Sequence, residues 1–290
     1  MRTCISTYSY SKLIKAGNFT HMDAIDQTKK FGMDGVEICV APTAIPEGAD
    51  YATYIKGLAD HAREIGLDVP ILTLGADLYR RDPDEEHERL CKCIDVASAC
   101  GIPRMRHDIA SAFRGDEEAK TPDTIIKTIA PLIHKIASYA ESKGVATCSE
   151  NHGRIMQDSD RILDLFTAVN HKNYGLLCDM GNFGGADEDC ARAVSRVLPL
   201  VRFVHAKDAF WRNGMMYDPG QGFSRTRGGH FRRATIFGHG DVPTFQILAA
   251  LKNFGYDGYV SIEFEGIEDN LMALEIGSAN LLRMLADLER

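Results

Sequence analysis

Four apolar runs in the second half of the chain each end on a residue able to bind a metal ion. Val145-Ala146-Thr147-Cys148 leads into Ser149-Glu150-Asn151-His152, and Tyr174-Gly175-Leu176-Leu177-Cys178 into Asp179-Met180-Gly181-Asn182. Val201-Arg202-Phe203-Val204 leads into His205-Ala206-Lys207-Asp208, and Tyr259-Val260-Ser261-Ile262 into Glu263-Phe264-Glu265. Short β-rich runs of this kind read as buried parallel strands. As neighbours in one closed sheet they would bring Glu150, Asp179, His205 and Glu263 to one end of it. Singly, an acid at a strand end is a helix cap or a surface charge, and a lone histidine is a hydrogen-bonded structural residue. Four of them at matching positions on successive strands form a metal-ligand set. Three carboxylates and an imidazole suit one borderline-to-hard divalent cation, Mn²⁺, Mg²⁺, Co²⁺ or Zn²⁺.

The elements that must position these residues follow from punctuation. Further strand-like runs lie near Arg2–Thr7, Gly35–Val40, Val69–Gly75 and Ile102–His107. Between them, Thr20 caps a helix that stops at Gly32, and Tyr51–Ile65 stops at Gly66. Pro83 opens a helix to Cys100, and Thr121-Pro122 is an N-cap with proline at the first helical position. Asp158 caps Ser159–Val169, a shorter helix covers Asp187–Val197, Pro243 starts one that ends at Phe254-Gly255, and Glu268–Leu288 is the last. Glycine just past a helix is the usual left-handed residue.

Strict alternation of strand and helix implies a parallel sheet, because parallel neighbours need crossover connections. Eight units without a composition break predict a single-domain (β/α)8 TIM barrel over residues 1–290. An internal echo agrees: Phe31-Gly32-Met33-Asp34-Gly35 resembles Phe254-Gly255-Tyr256-Asp257-Gly258. The exception is Asp208 to about Val242, read as a long β7–α7 loop rich in arginine and glycine. A loop that long is functional or disordered, and here it is expected over the catalytic end as a lid or a subunit contact.

Bulk composition sets bounds. In 290 residues, 44% apolar and 26% charged, no apolar run approaches the ~18 residues of a membrane helix. A net charge of −8 argues against nucleic-acid and anionic-membrane partners. The first residues run straight into a strand without a signal-like apolar region, so a cytoplasmic location is expected. Eight cysteines in a chain this long read as small core residues, not a disulfide framework.

The chain resembles the xylose isomerase-like barrel superfamily, in the branch of sugar phosphate isomerases/epimerases and inosose dehydratases. The motifs that carry the resemblance are Glu150-Asn151-His152, Cys178-Asp179-Met180-Gly181-Asn182, His205-Ala206-Lys207-Asp208, Gly238-His239-Gly240-Asp241-Val242 and Ser261-Ile262-Glu263-Phe264-Glu265. The resemblance implies a carbohydrate substrate, one divalent metal (commonly Mn²⁺) on Glu150, Asp179, His205 and Glu263, and a homo-oligomer. It also implies that Glu150 and Glu263 exchange protons with substrate. Physically, moving a proton beside a carbonyl requires a stabilised enediolate and a positioned base.

The expected activity is therefore that of a metal-dependent isomerase or epimerase. The rival is a lyase of the same superfamily, an inosose-type dehydratase or a keto-glycoside cleaving subunit, some of which need a small second subunit. Less favoured are a metal-dependent endonuclease, opposed by the charge, and a non-catalytic sugar-binding barrel. His152 binds a substrate hydroxyl or acts as an acid, and Lys207 shares the face of His205. Glu37 reaches the pocket floor or forms a structural ion pair. Arg106, His107 and Asp108 end a strand with at least one side chain inward, and Arg227 and His239 descend from the long loop. Two departures from the family pattern stand out. Asn182 replaces the histidine usual in ketose epimerases, and His239 replaces a common glutamate.

Overall fold

The computed structural model describes residues 1–290. Its barrel strands are β1 (Arg2–Ser6), β2 (Gly35–Cys39), β3 (Leu72–Leu74), β4 (Arg104–His107), β5 (Ala146–Glu150), β6 (Tyr174–Asp179) and β7 (Val201–Ala206). A separate sheet of β8 (Asp208–Arg212), β9 (Ser224–Arg225) and β10 (Phe231–Thr235) intervenes before β11 (Tyr259–Ile262) completes the barrel. The barrel closes in the order β1-β11-β7-β6-β5-β4-β3-β2, all parallel, which is a (β/α)8 TIM barrel. The helices are α1 (Ser11–Lys15), α2 (His21–Lys30), α3 (Tyr51–Glu64), α4 (Pro83–Ala99), α5 (Pro122–Ser142), α6 (Ser159–Val169), α7 (Cys190–Val197), α8 (Thr244–Phe254) and α9 (Asn270–Leu288).

The caps act as their residue types require. Thr20 and Asp23 form a reciprocal capping box on α2, and Thr121 and Asp158 accept the free amides of α5 and α6. The echoed motifs both leave a helix through a left-handed glycine, Gly32 at φ 77° and Gly255 at φ 89°. Boundaries moved for identifiable reasons. β3 and β4 start after Pro70 and Pro103, which have no amide to donate to a ladder. α7 starts at Cys190 and not Asp187, because Asp187 adopts φ 61° and Asp189 takes the cap. α9 starts at Asn270 because Glu268 is drawn off to Thr235 (2.9 Å) and Arg233 (3.2 Å).

The main core fills the space between barrel and helices. A smaller apolar plug of Cys4, Ile71, Cys148, Leu177 and Phe203 closes the barrel interior. Cys148, Leu177 and Phe203 each lie two residues before Glu150, Asp179 and His205. Strand side chains alternate with period two, so the plug below guarantees that the three polar residues above also point inward. All eight cysteines are free thiols, six of them buried.

The segment after β7 is a correction to the sequence reading. Instead of a loop it forms an antiparallel sheet, β8 pairing β10 from Asp208↔Thr235 to Arg212↔Phe231, with β9 beyond. Its strands carry charged residues on the exposed face, so no clean apolar alternation marks them. The sheet is tied down over the barrel mouth. Trp211 donates its indole N–H to the Gly184 carbonyl (3.0 Å), and the Arg227 amide donates to Gly185 (2.9 Å). Trp211 also leaves no room for a side chain at Gly184, where an added Cβ would lie 2.0 Å from its ring.

The Gly238-His239-Gly240-Asp241-Val242 motif has a structural role here. Buried Asp208 accepts amide hydrogen bonds from Ala209 (2.8 Å), Gly238 (2.9 Å), Gly240 (2.8 Å) and Val242 (3.2 Å). An Asp208→Ala substitution strands these donors, so it should lower stability by roughly 3 kcal/mol. Asp208→Asn, which keeps an acceptor, should lose less. Urea unfolding of the three proteins checks this, and an unchanged midpoint in Asp208→Ala removes the anchoring role.

Candidate active site and metal centre

Register brings the four expected ligands together. Asp179 pairs directly with His205, and Ser261 pairs with His205 from the other side, placing Glu263 two residues higher on the same face. Glu150 lies level with Leu177, two residues below Asp179. All offsets are even, so all four side chains point into the barrel. Their ligand atoms lie within 4.8 Å of one another, with three of the residues buried and Glu263 nearly so.

Each ligand is held from behind. Glu150 is paired with the Arg106 guanidinium and accepts from the Asn182 amide (3.0 Å). The Asp179 backbone is bracketed by the Asn151 side chain (2.8 and 2.9 Å), and its Oδ1 accepts from the amides of Gly181 (2.8 Å) and Asn182 (2.9 Å). Gly181 is required there: a Cβ would come within 2.8 Å of the Lys207 carbonyl oxygen. His205 faces Glu37 through Nε2 (3.0 Å), while Ser261 (2.7 Å) and Thr73 (2.6 Å) donate to the same Glu37 carboxylate. Lys207 is buried and reaches Glu263 (2.5 Å), Glu265 (2.8 Å) and Asp179 (3.3 Å).

Two buried atoms at the centre have no hydrogen-bond partner: His205 Nδ1, and Asp179 Oδ2, whose one charged neighbour is the Lys207 ammonium at 3.3 Å. Unpaired buried polar atoms are costly and rare in folded proteins. His205 Nδ1 faces Glu150 Oε1 at 3.7 Å and Glu263 Oε1 at 3.6 Å. With Nε2–H directed at Glu37, the Nδ1 lone pair is aimed at the centre, the usual way a carboxylate orients a ligand imidazole. The donor set and the two orphaned atoms fit a divalent cation.

The electrostatics agree. Burial pushes Glu150 up, but Arg106 and His205 outweigh it and hold its carboxyl well below the usual range. Burial likewise opposes ionisation of Glu263, and Lys207 and His205 hold it ionised. Burial lifts Asp179 to about 6 despite the pull of Lys207. Burial disfavours a charge on His205, yet Glu37, Glu263 and Glu150 raise its proton affinity well above normal. A proton and a divalent ion thus compete for the same point.

The other expected residues divide. Lys207 and His152 line a cavity of about 200 Å³ with Asn182, Gln157, Glu265 and several arginines, and Arg227 stands on its wall. His152 is half-exposed and donates to Asp108 (3.0 Å). Burial disfavours its charge, but Asp108 and Glu150 raise it to about 9, so it is an imidazolium at neutral pH. Arg227 is ion-paired with Asp158 and donates to the Arg154 carbonyl (2.8 Å). Glu37 has no exposed surface; it orients His205 and does not reach the cavity.

His107 and His239 are corrections. His107 points outward into the helix layer, stacked against Tyr174 at 6.3 Å, because its neighbour Arg106 takes the inward position. Both faces of a barrel strand are buried, so periodicity could not choose between them. His239 is exposed, because the loop turns its amides inward onto Asp208 and its side chain outward. Arg106 supplies the inward side chain expected at the end of β4, while Asn182, Arg232 and Glu265 line the cavity without having been assigned a site role from sequence. The signals available were the i+2 spacing of Glu265 from Glu263 and the position of Asn182 three residues past Asp179.

A closed parallel barrel with a cation-fitting cluster at the C-terminal ends of its strands defines a TIM-barrel protein with its site where barrel enzymes place theirs. Within that class the chain belongs to the xylose isomerase-like TIM barrel family, whose model matches residues 25–284. An inosose dehydratase of Clostridium perfringens is 27% identical over 142 residues, 48% of this chain and 47% of that enzyme. The chain spans about half the length of the curated relatives it matches. A probable 3-DHS dehydratase of Bacillus anthracis involved in petrobactin synthesis superposes with a TM-score of 0.76 at 15% identity, over 97% of this chain and 99% of that one. An L-ribulose 3-epimerase superposes with a TM-score of 0.72 at 18% identity, over 100% and 96%. No helix is long and apolar enough to cross a membrane.

Buried His107 gives a pH test of the fold. Burial lowers its pKa to about 4 from 6.5. The unfolded chain therefore binds the extra proton first, and stability falls as pH drops through that window. Wild type should lose about 2 kcal/mol between roughly pH 6.5 and 4.5 that a His107→Gln protein does not. Urea unfolding across this range checks it, and identical slopes would reject the neutral buried assignment.

Proposed function

We propose that the chain is a divalent-metal-dependent sugar isomerase or epimerase that abstracts a proton beside a carbonyl. The observation that supports this reading most is the convergence of Glu150, Asp179, His205 and Glu263 on one point, with His205 Nδ1 and Asp179 Oδ2 lacking hydrogen-bond partners between two ionised glutamates. Glu150, Asp179, His205 and Glu263 would hold the cation, with Mn²⁺ the expected ion and Mg²⁺, Co²⁺ or Zn²⁺ suited to the same donors. When bound, it supplies Lewis-acid polarisation of the carbonyl and stabilises the enediolate.

The residues of the chain do the proton work. Glu150 and Glu263 are kept ionised by Arg106 and Lys207, so either is ready to take a proton from the carbon next to the carbonyl. Proton return to the neighbouring oxygen-bearing carbon gives isomerisation, and return to the opposite face of the same carbon gives epimerisation. Lys207 and Asn182, in the cavity floor, donate hydrogen bonds to sugar oxygens. A second reading, dehydration, is favoured by one feature: the His152 imidazolium beside Asp108 is an acid placed to protonate a departing hydroxyl.

Metal analysis with a solvent-deuterium exchange screen over ketoses, inososes and keto-glycosides tests the proposal. Glu150→Gln and Glu263→Gln should each reduce exchange by at least about a hundred-fold, within the range general-base catalysis contributes. Asp179→Asn should lose metal on dialysis while staying folded. His152→Gln should suppress elimination from an inosose and leave exchange at the acidic carbon. A metal-loaded protein without exchange at any sugar carbon rules the enzyme reading out.

A further inference from the structure

The cavity above the metal centre is lined by no apolar residue. Its wall carries Arg154, Arg225, Arg227 and Arg232, in a chain whose net charge is −8. Basic groups on acidic proteins are usually neutralised by neighbouring carboxylates, and Arg227 follows that rule through Asp158. Lys207, in the floor, is likewise surrounded by Asp179, Glu263 and Glu265.

Three of the arginines are not neutralised. Arg154 donates only to the Arg225 carbonyl (3.4 Å), Arg225 to the Gly229 carbonyl (2.9 Å), and Arg232 to the Asn182 amide oxygen (3.3 Å). None of the three is paired with a carboxylate, and the Arg232 Nε is buried without any partner. A guanidinium offers five N–H donors in a planar fork that matches carboxylate and phosphate oxygens. Arg225 is further fixed by packing its guanidinium 4.2 Å over the Phe231 ring. Arg225 and Arg232 stand on β9 and β10 of the inserted sheet, and Arg154 follows β5, so three separate segments converge on one volume.

We infer that the substrate carries an anionic group, a phosphate or a carboxylate, held by Arg154, Arg225 and Arg232 at the end remote from the metal centre. The inference rests on reading this cavity as the substrate site. Asn182 links the two ends, because it donates to Glu150 and accepts from Arg232. An anion on Arg232 would therefore position the sugar relative to the proton-abstracting carboxylate. A neutral ketose leaves Arg232 without a counter-charge.

Calorimetric titration of the Mn²⁺-loaded protein with D-fructose 6-phosphate, D-gluconate and D-fructose tests this. At least one anionic ligand should bind about ten-fold more tightly than fructose, a difference of the size that a single charge-assisted contact supplies. Preference for the phosphate ester alone assigns a phosphate, preference for gluconate alone a carboxylate, and preference for both an undiscriminating oxyanion site. The double variant Arg154→Gln/Arg232→Gln should abolish the preference. Arg154→Gln/Arg225→Gln, at two exposed positions, asks the same without disturbing the packed Arg232. Equal affinity for the three ligands, no binding of any, or a preference that survives both variants overturns the inference. So does a preference that vanishes on stripping the metal, since chelation would then explain it. Preference without deuterium exchange keeps this inference and sinks the enzyme reading, and exchange without preference does the reverse.

Discussion

The constraint on which the rest depends is charge balance inside the barrel mouth. Glu37, Glu150, Asp179 and Glu263 meet there almost without solvent. Glu150, Asp179 and Glu263 bring carboxylate oxygens within 4.8 Å of one another, and two unit charges at that distance repel by about 3–4 kcal/mol at an effective dielectric of 20. Arg106 and Lys207 supply two fixed positive charges, and they share these with Asp108 and Glu265. Negative charge is therefore in excess around the point where His205 Nδ1 has no hydrogen-bond partner and Asp179 Oδ2 meets only the Lys207 ammonium at 3.3 Å. A protonated His205 offsets part of that excess, and a divalent cation at the same point would offset more of it.

What lies beneath the site explains how such a cluster survives in the fold. Glu37 is tied to strands on three sides, through Thr73, Ser261 and His205. The apolar plug below it keeps water from entering from the other end. Repulsion among the upper carboxylates is thus opposed by a rigid floor, which keeps the donors close enough to share a cation. Rigid placement of this kind is what proton abstraction needs, since the base must lie within hydrogen-bond reach of the proton it removes.

Much of this was legible in the sequence, for local reasons. Each residue of the candidate cation cluster follows an apolar strand at the same phase, and each helix has a cap or a terminal glycine, so barrel and cluster came from period and punctuation. The misreadings have physical causes too. His107 and Arg106 are adjacent on a strand buried on both faces, where alternation carries no sign. His239 sits in a glycine loop whose purpose, solvating the Asp208 carboxylate with backbone amides, leaves no mark on side-chain chemistry. The β8–β10 sheet escaped notice because its strands are short and charged, held by Trp211 and Arg227 contacts to residues far away in the chain.

These limits of the sequence coincide with a division in the molecule. The barrel strands carry the groups proposed to move protons and hold a cation, and their positions follow from register, which local pattern determines. The inserted sheet and its β9–β10 connection carry Arg225, Arg227 and Arg232, and their positions follow from long-range latching to Gly184, Gly185 and Asp158. Under the proposed function, reaction type would be encoded where the sequence is readable, and substrate choice where it is not. Asn182 is one contact between the two, bonded to a barrel glutamate on one side and a sheet arginine on the other. Lys207 is a second contact, since it directly precedes β8 and holds Glu263, so under the proposed roles a shift of the inserted sheet would be felt at both candidate bases.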